Sequence, residues 1–123
     1  KAERIPWLAI AQAPITDLVG ADHAALSDDG DAVRRWIGCR PEENPKLWSQ
    51  LNPIDNPPIS PVLLIHGEED DEVPIEQSET YARAMSAKGA AVQKVWLPGD
   101  HFSIIDVASD DWLVELNAIL DWL

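Results

Sequence analysis

The 123-residue chain has one cysteine, Cys39, so an internal disulfide is excluded and a reducing, cytoplasmic setting is expected. It holds only nine basic residues against 22 acidic ones, a net charge of −13. That balance argues against nucleic acid and anionic membrane as partners. There is no run of 18 apolar residues, so no membrane span is expected. Lys1 stands where an initiator methionine would, so the sequence is expected to begin part-way along a longer protein. His66, His101 and Cys39 lack zinc-ligand spacing, and the acid run Glu68 to Glu72 lacks the alternation of a calcium loop. No metal site and no cofactor are expected.

What is present is hydrophobic patterning, at 46% of residues, enough for a globular core. Val62 to Ile65 run apolar without a break and close at His66-Gly67. A short continuous apolar run ended by a turn signal reads as a strand buried on both faces, as in a parallel sheet. Five acids follow, then Val73-Pro74. The strand thus delivers carboxylates to its C-terminal end, where open α/β sheets place ligand sites. Thirty-one residues after Asp70, the run Leu97-Pro98-Gly99-Asp100-His101-Phe102 brings a histidine to the end of another strand-like segment.

The remaining chain supplies a β, cap, β, α, β, α order. Trp7 to Ala13 is the first strand, ended by Pro14 and expected to be apolar on both faces with neighbours on both sides. Residues 19–60 are proline-rich and polar and read as a helical cap. Asp31 opens one helix, with Val33, Trp36 and Ile37 as an apolar stripe at helical spacing and Gly38 as its stop. Asn44 opens a second, with Pro45 in the first turn and Leu47, Trp48 and Leu51 on one face. Asn52 to Pro58 should return extended to the sheet. Ile75 to Lys88 reads as a helix, and Val92 to Leu97 as the third strand. Ser109 caps a last helix, whose stripe of Trp112, Leu116, Ile119 and Leu123, widened by Leu113 and Leu120, should face the core. The fold class expected is α/β with three parallel strands and right-handed crossovers.

His66-Gly67-x-x-Asp70-x-x-Val73-Pro74, then Gln77-Ser78, then Gly99-Asp100-His101-Phe102, resembles the C-terminal part of α/β-hydrolases. The similarity is to the esterase, arylformamidase-like and prolyl-oligopeptidase-like branches. It spans residues 1–123 as part of one such domain. The resemblance implies that Asp70 is the triad acid and His101 the triad base, with Asp71 and Asp106 as the alternative carboxylates. The triad serine would sit in a G-x-S-x-G elbow. None of the seven serines, at 27, 49, 60, 78, 86, 103 and 109, has that flanking pattern. The nucleophile and the oxyanion-hole amides are therefore expected upstream of Lys1, and the 123 residues alone are expected to be inert. The implied activity is hydrolysis of a carboxylic ester or small amide, with a small-molecule substrate.

Trp36 and Trp48 in the cap are the candidate substrate contacts, weighed against a role in packing the cap. His66 reads as structural support for the acid loop. His23 reads as a polar cap residue, and Cys39 lacks a nucleophile elbow. Two rivals stand beside the hydrolase. One is a non-catalytic pseudoenzyme that binds another chain at its sheet edge. The other is a magnesium or phospho-acceptor domain, which would need acids and a lysine at strand ends that lack them. An apolar first strand left without its neighbour would also invite self-association, so a homo-oligomer is expected if the chain stands alone.

Overall fold

A computed structural model describes residues 4–27 and 29–123. Three strands, β1 (Ala9–Gln12), β2 (Val62–Gly67) and β3 (Val92–Leu97), form one parallel sheet in the order β1-β2-β3. Ala9 pairs with Val62, and Val62 with Val92. β2 is the centre. Every residue in it is buried, with Leu63, Leu64 and Ile65 at 0% exposure. Full burial of side chains of this size contributes about 1.5–3 kcal/mol each.

The helices are α1 (Leu18–His23), α2 (Ala32–Ile37), α3 (Pro45–Leu51), α4 (Glu76–Ala87) and α5 (Asp110–Trp122). α4 covers one face of the sheet, setting Tyr81, Ala82 and Met85 against Val62 and Leu64. On the other face Leu63 and Ile65 meet Leu97 and Ile104, with Ile119 and Trp122 of α5 packed beside them. The alternation of β2 side chains thus divides one core into two layers. Residues between β1 and β2 build a separate cluster of Leu18, Ala21, Val33 and Trp48. Gly38 ends α2 in a left-handed conformation, φ 91°, that suits a residue without a Cβ. Among the described residues no helix is long and apolar enough to cross a membrane.

Four local expectations are corrected. β1 is four residues long and alternates, with Ile10 42% exposed, and among the described residues it pairs with β2 alone. α1 was not expected. Its signal is Asp17, whose side chain accepts from the Gly20 amide as an N-cap. The return segment contains a 3-10 turn at Pro53–Asp55 rather than a fully extended run. The face of α5 is also rotated. Asp111 and Glu115 are buried, while Leu113, Leu116, Leu120 and Leu123 are exposed. Polar partners explain the inversion: Ser103 Oγ donates to Asp111 Oδ2 at 2.5 Å, and Gln12 Nε2 donates to Glu115. Burial pushes the Glu115 carboxyl above its ordinary range, against the opposing hydrogen bond from Gln12.

Candidate active site

The loops after β2 and β3 meet at the C-terminal edge of the sheet. Main-chain bonds stitch them together: the Glu68 amide donates to Leu97 O at 2.7 Å, and the Glu69 amide to Gly99 O at 3.1 Å. So close an approach requires glycine. A Cβ on Gly67 would collide with the Gly99 carbonyl oxygen, and one on Gly99 with Asp111 and Ser103.

The acid loop turns on Asp70. Its side chain has 0% exposure. Oδ1 accepts from the amides of Glu72 and Val73, at 3.0 and 2.8 Å, which folds the loop into a tight turn. Oδ2 accepts from His101 Nδ1 at 2.8 Å. Burial acts to raise this carboxyl, but the Val73 amide, His101 and the Glu72 amide together outweigh it. Asp70 is held below the usual carboxylate range and stays ionised.

His101 sits in the turn after β3. The Asp100 side chain accepts from the amides of Phe102 and Ser103, both at 2.9 Å, and closes that turn. Ser103 is fastened in turn to Asp111 of α5. Phe102 stands edge-on to the imidazole, ring centres 5.4 Å apart and planes at 86°. With Nδ1 donating to Asp70, the other ring nitrogen, Nε2, is bare, and the side chain is 29% exposed. The arrangement is a carboxylate, an imidazole oriented by it, and a nitrogen open to one side. Such a pair can accept a proton from a hydroxyl and return it to a leaving group.

Asp71 is exposed, while Asp106 accepts from the Ala108 amide in its own turn; the carboxylate on His101 is that of Asp70. His66 is fully buried under the acid loop, with Nε2 2.7 Å from Val73 O and Nδ1 2.7 Å from Ser78 Oγ. Ser78 was not singled out for a role. The signal was its place on the buried stripe of α4, with Tyr81, Ala82 and Met85. The two tryptophans between β1 and β2, Trp36 and Trp48, part company. Trp48, 1% exposed, is sealed in the cluster between β1 and β2 and presents no surface to a ligand. Trp36 is 71% exposed and borders an apolar cleft with Ile15, Leu18, Ala32 and Val33. His23 is exposed and Cys39 is partly buried beside the cap cluster. Among the described residues no group of three His, Cys, Asp or Glu is placed to hold a metal ion.

Comparison with known proteins agrees with this architecture. A model of the prolyl oligopeptidase family matches residues 7–123. The acylamino-acid-releasing enzyme of Rattus norvegicus is 32% identical over 94 residues, covering 69% of this chain and 12% of that enzyme. The Pyrococcus horikoshii acylaminoacyl peptidase superposes with a TM-score of 0.75 at 23% identity, over 94% of this chain and 19% of its own. A thermophilic esterase from Thermogutta terrifontis gives a TM-score of 0.68 at 19% identity, over 95% of this chain and 41% of its own. The chain therefore spans only a small part of the length of these relatives. Its parallel sheet with helices on both faces is part of a domain of the α/β-hydrolase type. With the family match running over nearly its whole length, the chain belongs to the prolyl oligopeptidase family.

Proposed function

We propose that this chain carries the acid and the base of a serine hydrolase that cleaves an acyl bond, a carboxylic ester or small amide, including the amide of an N-acylated amino acid. The observation that carries the reading is the 2.8 Å bond from His101 Nδ1 to the buried carboxylate of Asp70. His101 Nε2 takes the proton of a serine hydroxyl supplied from the sequence N-terminal to Lys1. The serine oxygen attacks the acyl carbon. Nε2 then returns the proton to the departing alcohol or amine, and a water repeats the cycle to release the acid. Asp70 fixes the tautomer and stabilises the imidazolium that forms in each half.

The peptidase family and the names of the rat and Pyrococcus horikoshii relatives support the amide, and the name of the Thermogutta terrifontis relative supports the ester. Trp36 and the cleft it borders with Ile15, Leu18 and Val33 are the part of the cap proposed to hold an apolar group of the substrate. The test is a panel of p-nitrophenyl esters, formyl amides and N-acyl aminoacyl anilides, given to the full-length protein and to His101→Ala. The expected result is turnover in the first and loss of nearly all of it in a folded variant. Turnover retained by His101→Ala would refute the reading.

A further inference from the structure

Beneath the Asp70–His101 pair lies a second chain of hydrogen bonds with no exposure to solvent. His66 and Ser78 are both 0% exposed. Ser78 Oγ is 2.7 Å from His66 Nδ1, and among the described residues it has no other hydrogen-bond partner. A buried hydroxyl proton needs an acceptor, so Nδ1 must be bare and the ring proton must lie on Nε2. Nε2–H donates to Val73 O, 2.7 Å away, and Asp70 Oδ2 lies beside Nε2 at 3.3 Å without a hydrogen bond. Val73 is also the residue whose amide holds Asp70 Oδ1 at 2.8 Å. One imidazole therefore holds the carbonyl of the residue whose amide orients the carboxylate, and stands against the carboxylate oxygen that orients His101.

We propose that Ser78 and His66 are positioning residues for the Asp70–His101 pair: the Ser78 hydroxyl sets the His66 tautomer, and His66 Nε2–H holds the acid loop in register with His101. This rests on the hydrolase reading above. The three residues Ser78, His66 and Asp70 have the composition of a triad, but a hydroxyl with no solvent exposure in α4 reaches no substrate. Its effect passes through Asp70. The arrangement parallels metal sites in which an outer partner fixes a histidine's tautomer and direction. Without the Ser78 hydroxyl, Nδ1 becomes a buried orphan acceptor. The ring can then turn over or change tautomer, and Val73 O loses its donor.

The experiment uses full-length protein with 15N-labelled histidine, as wild type, Ser78→Ala, His66→Gln and His66→Ala, alongside His101→Ala. In the wild type, His66 should show the Nε2–H tautomer, and the His101 Nδ1 proton should resonate at low field, as expected beside a carboxylate. In Ser78→Ala, kcat should fall about tenfold with KM within about twofold, the size expected for one buried bond of about 1.4 kcal/mol. The His101 Nδ1 proton should move upfield at the same time. His66→Gln, which keeps an N–H near the Nε2 position, should retain more activity than His66→Ala. A wild-type His66 that carries its proton on Nδ1, or on both nitrogens at pH 8, would overturn the proposal whether or not any variant folds. So would a Ser78→Ala protein with unchanged kcat and an unmoved His101 proton. Those results leave the loss of activity in His101→Ala untouched, whereas failure of the hydrolase reading would show as retained activity there.

Discussion

Asp70→Asn replaces one carboxylate oxygen by an NH2 group of nearly the same volume. The amides of Glu72 and Val73 donate to Oδ1 at 3.0 and 2.8 Å, so the asparagine oxygen must occupy that position. The NH2 group is then turned toward His101 Nδ1 and His66 Nε2, which lie 2.8 and 3.3 Å from Oδ2. His101 can answer only by accepting at Nδ1, and its proton moves to Nε2. That nitrogen must be bare to take a proton from serine. In the serine-protease triad the same exchange lowers kcat about 10⁴-fold, about 5.4 kcal/mol at 1.36 kcal/mol per decade. The same loss in kcat is expected here. The other N–H of the new amide lies against the His66 ring with no acceptor there, so stability should fall by about 1–3 kcal/mol, the cost of an unmet buried donor. The assay is saturating hydrolysis of an ester and an N-acyl aminoacyl anilide by full-length wild type and variant, with thermal melting of both at the same pH. A folded variant whose kcat stays within tenfold of wild type would refute the claim that Asp70 sets the His101 tautomer.

Other outcomes follow from the same geometry. Because the folded pKa of Asp70 is depressed, its ionisation contributes stability above the unfolded value of about 3.9 that is lost as pH falls through the folded value. Urea unfolding below pH 4 should therefore be less pH-dependent in Asp70→Asn, and an unchanged slope would contradict the assignment. For Glu115 the sign is opposite. Its folded pKa is raised, so stability is lost as pH rises from about 4.3 through the folded value, and Glu115→Gln should remove that loss. Melting at pH 4 and pH 7 would show it: the variant should gain on the wild type at the higher pH, and equal differences at both would count against it. Trp48→Ala should cost about 3–5 kcal/mol in chemical denaturation. Trp36→Ala, at a site 71% exposed, should change stability by no more than about 0.5 kcal/mol while raising KM for apolar substrates. A wild-type KM in Trp36→Ala would remove that residue from the substrate site.

Much of the site was legible because its residues are adjacent in sequence to strand ends. An unbroken apolar run that stops at a glycine and empties into acids has one physical reading, a buried parallel strand with a carboxylate loop at its C-terminal edge. His101 follows from the same logic at the end of β3. What escaped were features with no local signature. α1 is six residues long and is announced only by its Asp17 cap. The stripe on α5 misled because leucines at helical spacing were assumed to face inward. The core there is completed by Asp111 and Glu115, whose partners Ser103 and Gln12 come from 8 and 103 residues away.

Local periodicity and turn chemistry thus determined the three parallel strands, the helices α4 and α5 and the two loops that carry Asp70 and His101. These depend on side-chain alternation and on backbone-restricting residues, which act over a few positions. Only the tertiary structure decided that the Asp70 carboxylate is buried and bonded to His101, which of Trp36 and Trp48 is buried, and that Ser78 reaches His66 beneath the loop. Those choices are made by hydrogen bonds and packing between segments far apart in the chain. A buried polar group must find its partner wherever the fold brings one, and sequence spacing carries no record of that distance.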